Sequence, residues 1–202
     1  SIKYILYQLK NIDFKVDGHE LEFNKKDGNV ELYGKIDRLD IGANDEGEYI
    51  RIIDYKSSNK NVNLNEMIAG TQIQLITYID SIAEKTHKQP AGIFYFGLMD
   101  KIIEGSQNLT DEEIEERIKK EFKMNGLILA DVKVVKMMDK TLETGYSNII
   151  PVYLDKQGEI SQGKSNTITK EQFSNLQKTI RKIIKQISNE ILSGKIDIKP
   201  LY

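Results

Sequence analysis

The stretch Leu32 to Ser58, LYGKIDRLDI–GANDEGE–YIRIIDYKSS, decides how the chain is read. Two runs rich in apolar and β-branched residues flank a polar, glycine-containing turn, which predicts a β-hairpin from Leu32 to Lys56. Asp37, Asp54 and Lys56 interrupt those runs, and a charge isolated on a core strand needs a partner or a task. Strand side chains alternate faces, so Asp54 and Lys56 share one face and Tyr55 takes the other. A turn centred on Asn44 to Glu46 puts Asp37 opposite Asp54, with their Cβ atoms about 5 Å apart. Carboxylates that close repel unless one is protonated or a cation lies between them. Mg²⁺ suits the second case, because it takes one or two protein carboxylates and keeps sites for water and phosphate oxygens. Lys56 on the same face can orient or deprotonate a water. Together they would supply metal, nucleophile and charge stabilisation for attack on a phosphodiester. The competing reading is a structural Asp–Lys pair, which a bare Asp-x-Lys favours because short motifs recur by chance. Arg38 and Asp40 point away from Asp37 and can pair with each other.

Composition bounds the alternatives. The 202 residues fit one domain, with 39% hydrophobic and 30% charged residues. The 29 basic and 31 acidic side chains leave a net charge of −2, so nucleic-acid binding would need a local basic groove. The chain has no cysteine, which excludes disulfides, thiolate catalysis and cysteine-ligated metals within it. With His19 and His87 its only histidines, a multi-histidine metal site is excluded too. No apolar run reaches membrane-spanning length and no signal peptide opens the chain, so a cytoplasmic location is expected. Ile2, Ile5, Leu6 and Leu9 repeat at helical spacing as the core stripe at the end of a helix, and this start in mid-pattern suggests a fragment of something longer.

Working outward, Phe14 to Phe23 with its Asp17-Gly18 step reads as extended strand or hairpin. Glu20 and Glu22 there are expected to be solvated edge charges. Leu64 to about Thr86 carries Ile68, Ile73, Ile76, Ile79, Ile82 and Ala83 at helical spacing and predicts one long amphipathic helix. Ala91 to Met99 reads as a strand buried on both faces. Strand, helix, strand in that order suggests a crossover in a mixed or parallel sheet. Thr110 to Glu113 forms a capping box for a helix with Ile114, Ile118 and Phe122 inward and Asn125-Gly126 as its stop. Asp131 to Met138 predicts a short helix, Ile149 to Leu154 a strand, and Asp155 to Gly158 a turn. A second capping box, Thr169 to Gln172, opens a long helix to about Ser193, capped by Gly194. Phe173, Leu176, Ile180, Ile183, Ile184, Ile187 and Ile191 are its core stripe. Lys178, Arg181, Lys182 and Lys185 on that helix read as a solvated face in preference to DNA backbone contacts. The ending 197–202 reads as a strand end or exit segment. No internal repeat or linker divides the chain.

Taken together, Gly34-Lys-Ile-Asp37-Arg-Leu-Asp40, Ile52-Ile-Asp54-Tyr-Lys56-Ser-Ser and Gln74-x3-Tyr78 resemble the RecB-like branch of the PD-(D/E)XK nuclease superfamily. The nearest likeness is to the AddB-type subunits of ATP-dependent helicase/deoxyribonucleases. It extends over AGIFYFGLMD (91–100), FKMNGLILAD (122–131) and SGKIDIKP (193–200). The resemblance implies a single RecB-like nuclease domain over 1–202. Its fold would be α/β, a restriction-endonuclease-like mixed β-sheet flanked by α-helices. The hairpin, the Ala91 strand and Ile149 to Leu154 would belong to that sheet.

The site follows from the same resemblance. Asp37 and Asp54 would be ligands of Mg²⁺ or Mn²⁺, with the Tyr55 carbonyl a further possible ligand and Lys56 the catalytic lysine. Gln74 and Tyr78 match the family's Gln-x3-Tyr, ordering the lysine or the DNA backbone from one helix face. Ser57, Ser58 and Lys60 are equally candidates for phosphate contacts and for solvent residues. The implied substrate is single-stranded DNA delivered by a helicase, degraded exonucleolytically in double-strand break repair beside an AddA-type partner subunit. Three family features are missing, the helicase-like N-terminal part among them. The upstream catalytic histidine is not matched by His19, in predicted strand, or by His87, after the long helix. The four cysteines of the family's iron–sulfur (4Fe–4S) cluster are absent, as expected of a chain truncated before them. The competing class is a DNA-binding or scaffolding domain that does not cleave, and a small-molecule phosphohydrolase is a third option.

Overall fold

The computed structural model describes residues 2–27, 29–58, 60–98 and 110–195. A helix, α1 (Ile2–Lys10), leads into an antiparallel meander of β1 (Lys15–Asp27), β2 (Val30–Asn44) and β3 (Gly47–Lys56). Two helices, α2 (Leu64–Ile68) and α3 (Gln74–Thr86), carry the chain to β4 (Gln89–Gly97), which pairs parallel to β3. Then come α4 (Asp111–Glu121), β5 (Asn125–Leu129), α5 (Val132–Met138), the short strands β6 (Gly145–Tyr146), β7 (Tyr153–Leu154) and β8 (Thr167–Ile168), and α6 (Lys170–Leu192). The six-stranded sheet has the order β1-β2-β3-β4-β5-β8 and mixes parallel with antiparallel pairs. Its two faces carry separate cores. α5 and the 142–154 segment cover one face, and α3 and α6 the other.

The hairpin forms in the expected register, Arg38 against Ile53 and Asp40 against Arg51. Asn44 pairs with Gly47 around a tight turn in which the Asn44 side chain accepts the Glu46 N–H at 2.8 Å. β4 is central, and Ala91, Ile93, Phe94, Tyr95 and Phe96 are all buried, as an uninterrupted apolar run requires. Both capping boxes form, at Thr110 with Glu113 and at Thr169 with Gln172. Asp131 caps α5, and the Asp155 to Gly158 turn closes with the Gly158 N–H donating to the Asp155 carbonyl.

Four expectations are corrected. Leu64 to Thr86 is two helices, because Gly70 turns the chain at φ +84° between them. The buried Gln72 side chain fixes that break, donating to the Asn61 carbonyl and Glu66 Oε2 and accepting the Asn63 N–H. Ile68 consequently faces outward, 57% exposed. Asn125-Gly126 does not stop α4, which already ends at Glu121; the pair opens β5, a core strand absent from the sequence reading. Ile149 to Leu154 does not join the main sheet. Only Tyr153–Leu154 is strand, paired with Gly145–Tyr146. Ile149 and Ile150 are buried in an irregular segment whose N–H groups are taken by the Ser147 hydroxyl. Finally, two helical stripes run past the core: Leu6 and Leu9 on α1, and Ile187 and Ile191 on α6, are exposed. Met99 and the ending 197–202 lie outside the described residues.

Two contacts position the hairpin. Behind it, fully buried Asp40 takes Arg38 through Nε and Nη2 at 2.6 and 2.9 Å and Arg51 through Nε at 2.9 Å. The Arg38–Asp40 pair is the expected one, and Arg51 joins it from across the ladder. Arg51 lies against Phe14 and Phe94, 4.9 and 5.9 Å from the ring centroids. Burial pulls its guanidinium below the ordinary arginine pKa, and Asp40 opposes that pull. On the other face, α3 packs on β3 and β4 and its Tyr78 reaches β2 where Gly34 lacks a side chain: a Cβ there would lie 1.9 Å from the Tyr78 hydroxyl oxygen.

Each contact yields a measurable consequence. Asp40→Ala strands two buried guanidinium groups and should lower unfolding free energy in urea by about 3–5 kcal/mol. Gly34→Ala should cost about 1–3 kcal/mol by overpacking. Tyr78→Phe removes the oxygen it strikes, so the double variant should be more stable than the sum of the single effects predicts.

Candidate active site

Because β3 and β4 run parallel, their C-terminal ends lie side by side, with Asp54 level with Tyr95 and Lys56 level with Gly97. Asp54 is buried at 4% exposure, and Lys56 Nζ stands 2.5 Å from its Oδ2. That oxygen is nonetheless without a hydrogen bond of proper geometry. The contact is therefore one of charge, and a buried carboxylate oxygen remains open to a further electropositive partner.

Asp37 reaches the same place by a route the sequence did not reveal. Ladder pairing between β2 and β3 ends at Arg38 and Ile53, one residue short of it. Its carboxylate instead accepts the Tyr55 N–H at 2.8 Å. The hydrogen bond pins Asp37 onto β3 between Asp54 and Lys56. The Tyr55 ring packs on the opposite face, edge-on to Phe96 with centroids 6.0 Å apart. Three of the expected side chains therefore converge on the end of β3.

Gln74 and Tyr78 come together as the i, i+4 spacing requires, the Gln74 amide donating to the Tyr78 hydroxyl at 3.1 Å. Tyr78 is buried against Phe23, with ring centroids 4.8 Å apart, while Gln74 is exposed. Tyr78 thus abuts β2 at Gly34, and Gly34 and Tyr78 connect two of the sequence motifs directly. Ser57 and Ser58 are exposed just past β3.

Lys60 lies over the Tyr95 ring, 5.0 Å from its centroid, and Lys56 lies 5.7 Å from the same centroid. Tyr95 is absent from the sequence-derived site. Its signal, a tyrosine level with Asp54, exists only once the parallel register is known. Burial, then Asp54, then Glu66 of α2 push its hydroxyl pKa up to about 12.

His19 pairs with Arg38 within the β1–β2 ladder, and His87 caps the C-terminus of α3 at φ +59°. Glu22 is exposed, and Glu20 forms a surface ion pair with Lys35 at 2.9 Å. Among the described residues no group of three His, Cys, Asp or Glu side chains could hold a metal ion. Two carboxylates, Asp37 and Asp54, lie at the end of β3, and carboxylate oxygens are hard donors of the kind Mg²⁺ and Mn²⁺ accept. Of the basic residues on α6, Arg181 is committed to Asp80 of α3 in a two-point contact at 2.6 and 2.7 Å. Lys178, Lys182 and Lys185 are exposed. Among the described residues no helix is long and apolar enough to cross a membrane.

A family model described as the PD-(D/E)XK nuclease superfamily matches residues 2–201. Curated relatives named as B-type subunits of ATP-dependent helicase/deoxyribonuclease are similar over nearly the whole chain. One from Acetivibrio thermocellus is 42% identical over 187 residues, covering 90% of this chain and 16% of the relative. One from Clostridium kluyveri is 41% identical over 194 residues, covering 93% and 16%. One from a Thermoanaerobacter strain is 37% identical over 217 residues, covering 99% and 19%. The chain spans less than a fifth of the length of these relatives. The mixed sheet with flanking helices is the restriction-endonuclease-like α/β fold. With the match spanning all of the described elements, the chain belongs to the PD-(D/E)XK nuclease superfamily.

Proposed function

We propose that residues 1–202 form a single RecB-like nuclease domain, the metal-dependent DNA exonuclease module of a helicase–nuclease that acts in double-strand break repair. The observation that carries this reading is the convergence of Asp37, Asp54 and Lys56 on the end of β3, with Asp54 Oδ2 buried and lacking a hydrogen bond. Asp37 and Asp54 would hold Mg²⁺ or Mn²⁺, with the Tyr55 carbonyl as a further ligand. When bound, the metal supplies Lewis-acid polarisation of the phosphoryl group and a more acidic water.

The protein's own groups divide the remaining work. Asp54 keeps the Lys56 ammonium beside the reacting phosphate, where it offsets developing negative charge and orients a water. The Tyr55 N–H holds Asp37 in one orientation, so this carboxylate needs no rearrangement when the site is loaded. Ser57, Ser58 and Lys60, just past β3, would supply phosphate contacts that position the strand without reading its sequence. Gln74 and Tyr78 would wall the site from α3 and order the lysine or the DNA backbone.

The names of the relatives support a DNA substrate, and with it an AddA-type partner subunit and a helicase that delivers single strands. Such a protein would work in the cytoplasm. The chain contains no cysteine, so none of its residues can ligate the 4Fe–4S cluster of the family's full-length members, and no step here involves one.

In the protein's full natural polypeptide with its partner, Mg²⁺-dependent DNA degradation should fall by about 10²–10⁴-fold in Asp54→Ala and in Lys56→Ala. DNA binding in EDTA should change far less. Undiminished degradation by both variants would overturn the assignment.

A further inference from the structure

Lys56 has a four-carbon flexible stem and a compact ammonium, so one charge contact does not define where the nitrogen sits. Its contact with Asp54 lacks hydrogen-bond geometry. A second restraint comes from β4. Tyr95 lies level with Asp54 and is 2% exposed. Lys56 Nζ and Lys60 Nζ stand 5.7 and 5.0 Å from its ring centroid. Both distances fall inside the roughly 6 Å range in which a ring quadrupole attracts a cation. The two lysines come from different segments, one ending a strand and the other in the loop beyond it, yet they converge on one ring.

We propose that Tyr95 is a positioning residue, whose ring holds Lys56 beside Asp54 and draws Lys60 and its loop in toward the same site. This rests on the nuclease reading above. Lys56 of β3 and Lys60 of the loop lie over the ring, Asp54 is level with it in the ladder, and the charge of Glu66 of α2 also bears on its hydroxyl.

The test uses the full natural polypeptide and follows DNA degradation in Mg²⁺ together with DNA binding in EDTA. Tyr95→Leu should lower kcat by about three- to thirtyfold and move the pH–rate profile. Its binding should lose about one unit of slope against log salt as Lys60 is released. Tyr95→Phe preserves the ring and should restore most of that rate. A series of fluorinated phenylalanines at position 95 changes the ring's charge distribution with little change in volume, so the rate should fall stepwise with each added fluorine. That series keeps the test valid if Tyr95→Leu fails to fold. Rates insensitive to fluorination, or Tyr95→Phe as impaired as Tyr95→Leu, would overturn the role of the ring. If Asp54→Ala and Lys56→Ala both leave degradation unchanged, the nuclease reading falls and this inference with it. A dead Lys56→Ala beside a silent fluorine series removes the inference alone.

Discussion

Asp40 is a fully buried carboxylate shared by two guanidinium groups, Arg38 beside it on β2 and Arg51 opposite it on β3. Each charge would be costly alone in that environment, and the three are tolerable only as a set. Sliding β3 by one residue would turn Arg51 to the other face and leave Asp40 with one partner. The ion pair behind the sheet therefore locks the hairpin register that the front of the sheet requires. Only in that register does the Tyr55 N–H meet Asp37.

A second constraint is the parallel alignment of β3 with β4. It carries Asp54 and Lys56 to the sheet's C-terminal edge, in register with Tyr95 and Gly97. The α2–α3 connection then brings Tyr78 against Gly34, with Gln74 donating to its hydroxyl. Breaking the predicted long helix at Gly70 is part of this arrangement. It separates α2, whose Glu66 acts on Tyr95, from α3, which packs on β3 and β4 and sets Tyr78 against β2.

Strong local signals in the sequence proved reliable for physical reasons. Two capping boxes and the hairpin turn are satisfied within a few residues, so neighbours alone specify them. Weak local signals failed where a distant partner decides. Asn125-Gly126 carries the chemistry of a turn, yet the gap between β4 and β8 recruits it as strand. Ile149 to Leu154 has the composition of a strand, yet Ser147 satisfies its backbone and keeps it irregular. The apolar stripes of α1 and α6 continue past the surface that covers them, which periodicity cannot show.

For the candidate site the division is sharper. The residue types and spacings by themselves determined that Asp54 and Lys56 share a strand face, that Gln74 and Tyr78 share a helix face, and that Arg38 can pair with Asp40. Each follows from a backbone repeat of fixed period. Only the tertiary structure decided that Asp37 hooks the Tyr55 N–H instead of standing as a ladder partner of Asp54, that Arg51 completes the buried cluster, and that Tyr95 lies beneath two lysines. Those contacts join strands and loops far apart in the chain, and no local period encodes which of them become neighbours.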